Sequence, residues 1–437
     1  MRRNLSISLI LSFLVSLSTP NTWATPTPRN GAPCNKVNQT ISSASFKYIC
    51  KKSGKKLLWT KTRVSNQSNQ SAMPAPTSIP TVTPAPTPTP ATTSVPTPKI
   101  KSFVVPLLPS TVIPITWKNL ESRASDISSV AWQSAQDTLK ANSSSGATTS
   151  IKVIYAPNTP TSHYSGFENY LRTGVALWNR FILPPKSAFL VYSYDEIPWA
   201  KSEITKILTD SGMSSNQAQQ VGDNLSRAPY GGPDCGGANA GMISENQAIG
   251  VFGLCARNEG TDPYYVGPLQ IHEFTHQMQG AQFIGSNLNS QQILPCWISE
   301  GLAHAAGLSA GTNNLNAYLD VRKRQASHPV LNVAGGHSST QVDASTITYE
   351  FLTKFYAESS PPSCFALPSY SLGYSVGFLT TEALSAIGGI ESTLLLYSRA
   401  ATGESFEEAF KNIYGISWVD ASDILAKAVS KEFLLIR

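Results

Sequence analysis

Nine prolines lie between Pro74 and Pro98, most of them in Thr-Pro or Ala-Pro pairs. A backbone missing so many N–H donors cannot build a helix or a central strand, so residues 64–99 should run extended and polyproline-like. This divides the chain before any other feature is weighed. A short N-terminal piece must be stable apart from the 338 residues that follow Lys99.

The two pieces differ in charge. The chain carries 33 basic and 27 acidic side chains, a formal net charge of +6. Residues 1–63 hold eleven of the Lys and Arg and no Asp or Glu, which leaves 22 basic against 27 acidic residues in the remainder. The large piece is therefore mildly acidic and has no electrostatic footprint for nucleic acid. At 41% hydrophobic residues the chain is too apolar for wholesale disorder, and it carries neither a Gly-x-y period nor a long heptad run.

The N-terminus predicts export. Arg2 and Arg3 precede an apolar run from Leu5 to Leu17, followed by Pro20 and a Thr22-x-Ala24 cleavage pattern. Residues 1–24 thus read as a secretory signal peptide. Thirteen residues are short for a membrane span, although an uncleaved anchor is the alternative. No later segment is long and apolar enough to be a transmembrane helix, so the mature protein is expected to be secreted, outside the cell or associated with its envelope. An even cysteine count agrees with an oxidising compartment. Cys34, Cys50, Cys235, Cys255, Cys296 and Cys364 fall into sequential pairs, and sequential disulfides are expected for the first two pairs.

Residues 31–63 read as a small basic β module. Alternating Phe46, Tyr48 and Cys50, then Leu57 to Trp59, with Ser53-Gly54 between them, predict a hairpin. Thirty residues cannot build a sufficient core alone, so Cys34–Cys50 would staple it. The module resembles short, Lys-rich Cys-pair modules near the N-termini of secreted actinobacterial proteins. Its charge would suit an anionic cell-wall polymer or a lipid head group; the plain alternative is a solvated basic knob.

Residues 100–437 form the main domain. Helical periodicity is expected over 117–141, 164–179 and 199–225, and strands over Ile151–Tyr155, Ala188–Tyr194 and Ala248–Leu254. A Gly-rich stretch covers 231–241, and from Val266 onward the pattern is almost wholly helical. A sheet-containing half followed by a helical half predicts the α+β class.

The chemistry concentrates in His272-Glu273-Phe274-Thr275-His276, an HExxH sequence. On a helix, positions i and i+4 bring both imidazoles to one face, where they can share a Zn²⁺ ion, and the intervening glutamate can serve as general base. Gly267-Pro268 permits a helix to begin just upstream. A catalytic zinc wants a third protein ligand and an open position. Trp297-Ile-Ser-Glu300-Gly301-Leu-Ala303 begins 21 residues after His276.

HExxH followed by Trp-x-x-Glu-Gly-x-Ala resembles the gluzincin clan of zinc metallopeptidases, which includes the thermolysin-like, aminopeptidase N-like and peptidase MA-like catalytic domains. The resemblance covers roughly residues 266–420. It implies that His272, His276 and Glu300 hold Zn²⁺, that Glu273 is the general base, and that Glu300 lies on a helix antiparallel to the first. Tyr370-Ser-Leu-Gly373-Tyr374 resembles the clan's Tyr-x-x-Gly helix, which implies Tyr370 as oxyanion donor, with Tyr374 as its substitute if the register shifts by a turn. Glu300 and Tyr370 would then face one metal, so Cys296 and Cys364 should converge into a disulfide. Gly403–Ser417 resembles the clan's C-terminal helical ending. Gly241-Met-Ile-Ser-Glu245-Asn246 departs from the aminopeptidase Gly-x-Met-Glu-Asn strand by two residues, which leaves Glu245 either an anchor for a substrate amine or a loop carboxylate.

The implied activity is peptide-bond hydrolysis of a peptide or protein substrate. The competing readings are a non-catalytic envelope-binding protein on the same scaffold and a zinc hydrolase of non-peptide amides or esters. His304, one turn after Glu300, is placed to support a ligand or contact substrate. His163, His328 and His337 lie in polar, loop-like surroundings, and Arg322-Lys323-Arg324 reads as a solvated helix face.

Overall fold

The structure is a computed structural model. It describes residues 37, 40–42, 46–53, 56–63, 114–143, 149–159, 166–230, 237–254, 263–327, 330–332, 339–341, 343–359 and 372–436. The signal peptide, the linker, Tyr370, His163, His328, His337 and four of the six cysteines lie outside these residues. Cys50 and Cys296 are each disulfide-bonded. The described residues belong to two compact units.

The small unit is a three-stranded antiparallel sheet of β1 (Thr40–Ser42), β2 (Phe46–Ser53) and β3 (Lys56–Arg63), with β2 in the middle. Cys50 lies directly opposite Trp59, and both are buried, while Lys51, Lys52 and Lys56 are exposed. Along β2 the side chains alternate, so Lys51 lies on the face opposite Cys50, while Lys52 shares the Cys50 face nearer the strand's end.

In the large unit, α1 (Ile127–Asn142) is followed by β4 (Ser150–Tyr155), α2 (Phe167–Trp178) and β5 (Lys186–Tyr192). Next come α3 (Ile197–Asp210), α4 (Ser215–Arg227) and the hairpin β6 (Ala238–Ser244) and β7 (Gln247–Gly253). The helical half contains α5 (Pro268–Ala281), the single turn α6 (Ser290–Ile293), α7 (Cys296–Gly311) and α8 (Leu315–Ala326). A short β8–β9 hairpin (Val330–Asn332, Ser339–Gln341) and α9 (Tyr349–Glu358) follow. A π-helical turn, Gly373–Gly377, runs directly into α10 (Phe378–Gly388), and the described chain closes with α11 (Ile390–Ala400), α12 (Phe406–Tyr414) and α13 (Trp418–Leu435).

The large sheet has the order β4-β5-β7-β6, with β4, β5 and β7 parallel and β6 antiparallel to β7. This mixed helix-and-sheet arrangement is compatible with the α+β class. The central strands β5 and β7 are buried along nearly their whole length because both faces are covered. Leu190, Tyr192, Ile249 and Val251 face α3 and α4, while Phe189, Val191 and Phe252 face the main core. The β6 side of the sheet packs on α5, where Met242 lies against Gly280.

Several elements depart from the sequence reading. The 199–225 helix is two helices, broken at Ser211–Ser214, where Gly212 takes a positive φ of 96°. The 117–141 helix begins only at Ile127, after turns and a short 3₁₀ segment. The end of the Gly-rich stretch is strand β6, whose pairing with β7 overrides its weak local propensity.

Arg322 is not on a solvated face. It is buried, with its Nε 2.8 Å from both carboxylate oxygens of Glu382 and its Nη2 2.7 Å from Glu382 and 2.6 Å from Glu432. Lys323 and Arg324 do face solvent. A charge run cannot reveal that a helix turns one of its three cations toward acids 60 and 110 residues away.

Candidate metal centre

The motif helix α5 is buried on almost every side. Gly267 opens it at φ 109°, a conformation that suits glycine, and a Cβ there would also meet Gly311 O at 2.8 Å. Pro268 occupies the first helical turn, where a missing N–H costs nothing, and the Gly267 N–H donates to Gln270 Oε1 at 2.7 Å. On either flank of the imidazole face, Trp178 Nε1 donates to Thr275 Oγ1 at 3.0 Å and Ser187 Oγ donates to Gln277 Oε1 at 2.6 Å. These buried bonds fix the rotation of the helix and hence the direction of both imidazoles.

Helix α7 packs on α5 through glycine. A side chain at Gly307 would strike the Pro268 carbonyl and crowd His272. On another part of α7, Gly301 backs onto Gly377 of the π turn, so a Cβ at either position would run into the other segment's backbone. Gly373 lies against the Glu300 side chain in the same way. The glycine after Glu300 is thus required by a close backbone approach that brings the π turn beside the motif.

The result is a cluster. His272 and His276 Nε2 are 3.0 Å apart, and Glu300 Oε2 is 3.3 Å from each. Two metal bonds of about 2.0–2.1 Å at a tetrahedral angle hold their donor atoms about 3.3 Å apart, so the three atoms sit at the edges such an ion requires. Glu300 Oε2 is buried within ion-pair distance of the two imidazoles and makes no hydrogen bond to any other described residue. A buried carboxylate oxygen left in that state is expensive unless a cation answers it. His272 and Glu300 are buried and His276 is partly exposed, so the cluster opens on the His276 side. These three residues could hold a metal ion.

The electrostatics agree. Burial pushes His272 down to about 4, against the pull of Glu300, so it stays neutral. Burial also acts downward on His276, but Glu300, Glu273 and Gln279 outweigh it and lift it to about 9. Burial acts upward on Glu300, yet the two imidazoles hold it well below the carboxylate range. One proton therefore sits where a dication would, and metal binding would release it.

Glu273 stands one residue round the helix, its Oε1 3.9 Å from His272 Nε2. Its Oε2 is buried without a hydrogen-bond partner, and burial raises the carboxyl to about 8. At neutral pH without a metal this carboxyl keeps its proton; a neighbouring dication would favour its ionised form, and an unligated carboxylate of raised basicity is equipped to take a proton.

The supporting shell was only partly visible in the sequence. His304 lies under the cluster, with its Nδ1 3.0 Å from His272 Nδ1. Gln279 Oε1 is 3.0 Å from His276 Nδ1, and the Gln279 amide is held by the Ser299 carbonyl at 2.8 Å and the Ser299 hydroxyl at 3.1 Å. The i+3 spacing from His276 is the signal that could have found Gln279. Tyr264 Oη, 3.3 Å from His272 Nδ1, and Gln325 Oε1, 3.4 Å from His304 Nε2, come from elements no spacing rule connects. Tyr374 on the π turn stacks on the His272 ring at 6.3 Å and meets His304 edge-on at 5.2 Å. Glu245 occupies the tight β6–β7 turn, where it accepts from the Gly285 N–H at 3.2 Å. No family model, no curated protein and no solved structure matches the chain, so the functional reading rests on the residues themselves.

Proposed function

We propose that the chain is an exported zinc metallopeptidase of the gluzincin type. The observation that carries this reading is the buried His272–His276–Glu300 cluster, with the Glu273 carboxyl beside it, whose Oε2 has no hydrogen-bond partner among the described residues. Two imidazoles and one carboxylate, with one side open, form a donor set suited to catalytic Zn²⁺. When bound, the ion would polarise the scissile carbonyl and acidify water. Glu273 accepts the attacking water's proton and passes it to the leaving amine. Gln279 and His304 hold the ligand imidazoles in orientation. A tyrosine hydroxyl, from Tyr370 or from Tyr374 beside His272, donates to the developing oxyanion.

A purely structural site has no use for an unligated buried carboxylate at Glu273, which favours catalysis over a binding role. The basic module would hold the enzyme to anionic wall polymers or head groups. Among the described residues no helix is long and apolar enough to cross a membrane.

The test is Glu273→Gln. Purified protein should contain about one zinc per chain, and the variant should keep that zinc while losing several orders of magnitude of activity on a broad peptide library. Wild type that holds no zinc, or hydrolyses nothing that the variant does not, overturns the proposal.

A further inference from the structure

We infer that His304 is a positioning residue that fixes the tautomer of His272 by accepting its Nδ1 proton, through a chain running from Gln325 to the metal centre. The inference rests on the metal reading above and adds to it a directed hydrogen-bond relay.

The direction follows from the contacts. His272 Nε2 points at His276 and Glu300, so as a ligand it must offer a lone pair there. A neutral imidazole with a free Nε2 carries its proton on Nδ1. Among the described residues two atoms lie within reach of that proton, His304 Nδ1 at 3.0 Å and Tyr264 Oη at 3.3 Å. The imidazole nitrogen is nearer, and its single in-plane lone pair is the more basic acceptor. If His304 Nδ1 accepts, its own proton must sit on Nε2, where Gln325 Oε1 waits at 3.4 Å. Each group then has one role: Gln325 accepts from His304, and His304 accepts from His272.

The base of the chain is anchored. Gln325 lies on α8, three residues after Arg322, whose bonds to Glu382 and Glu432 tie α8 to α10 and α13. His304 is buried, ringed by Tyr264 at 5.1 Å, Tyr374 at 5.2 Å and Phe378 at 5.9 Å, so its ring has little room to flip. A metal-bound histidine commonly relies on a carboxylate or backbone carbonyl for this service. Here a neutral ring does it and adds no negative charge beside the ligand.

The experiment uses the full chain in wild-type form and as His304→Phe, His304→Asn and Gln325→Ala. Zinc affinity is measured by competition with a chelator, and ¹⁵N-histidine spectra of the zinc-loaded protein report each ring's tautomer. Phe keeps the ring volume but accepts nothing, so affinity should fall about 10–100-fold. Asn, whose Oδ1 overlies the imidazole Nδ1 position, should restore most of it. In wild type, His272 should carry its proton on Nδ1 and His304 on Nε2, and Gln325→Ala should weaken the His304 assignment with a smaller loss of affinity. An unchanged affinity in His304→Phe, or a His304 proton on Nδ1, overturns the relay while leaving the zinc site standing. Wild type that binds no zinc overturns the metal reading beneath it.

Discussion

Removing the Arg322 guanidinium should unfold the helical half more readily than any surface change. Its side chain is 9% exposed, against 0% for Glu382 and 2% for Glu432, and it is joined to them by four contacts of 2.6–2.8 Å. Tyr318 also donates to Glu382. Breaking a buried pair by deleting one partner costs about 3–5 kcal/mol, because the remaining charge is stranded. Arg322→Met keeps the apolar stem and removes the charge, so it should cost that amount in urea unfolding at pH 7, seen as a lower midpoint with an unchanged slope.

Glu432 sharpens the test. Burial, together with Glu382, outweighs Arg322 and raises its carboxyl well above 4.5, so the folded state holds a proton that the unfolded chain releases. That contribution is complete below about pH 4.5 and declines by about 1.4 kcal/mol per pH unit as pH rises toward the folded-state value. Glu432→Gln mimics the protonated form, so it should cost under about 1 kcal/mol at pH 7 and flatten this slope. Replacing all three residues (Arg322→Met, Glu382→Leu, Glu432→Leu) should restore stability to near wild type. A loss under about 1 kcal/mol for Arg322→Met would refute the reasoning, since it would mean that water reaches the two acidic side chains.

Gly301→Ala places a Cβ against the Gly377 backbone, so α7 and the π turn must part. It should cost about 1–3 kcal/mol and, because that turn carries Tyr374, impair catalysis beyond the loss of stability; unchanged stability would show that the close approach is absent. For Glu196, burial acts upward, but the N–H groups of Ser193 and Asn158 and the hydroxyls of Ser193 and Thr159 hold the carboxyl below its usual value. Its stabilisation is therefore present above about pH 4.5 and lost as pH falls through the folded-state value; Glu196→Gln should flatten the acid limb of a melting-temperature profile, and an identical limb would remove Glu196 from it. Saturating zinc at about 100 times Kd should stabilise the chelator-treated protein by about 2.7 kcal/mol. An unchanged melting temperature would show that the cluster takes no metal.

Much of the site was legible because its spacing is local. His272 and His276 share a helix face by the 3.6-residue period alone, and Glu273 follows from its place between them. Glu300 needed more than local spacing, since only the tertiary contact of α7 with α5 puts its Oε2 3.3 Å from both imidazoles. Tyr370 lies outside the described residues, while Tyr374 is brought to the His272 ring by a π turn that no periodicity announces.

The sequence by itself determined the division of the chain into two parts, the basic module, the order of a sheet-bearing half and a helical half, and the sharing of one helix face by His272 and His276. These follow from backbone chemistry, charge count and periodicity, all of which act over a few residues. The tertiary structure alone decided strand β6, the break between α3 and α4, the burial of Arg322, and the joining of Tyr264 and Gln325 to the His272–His304 pair. Each of these depends on partners distant in the chain or on packing between elements, and such contacts exist only once burial of the helices and sheet has brought the segments together.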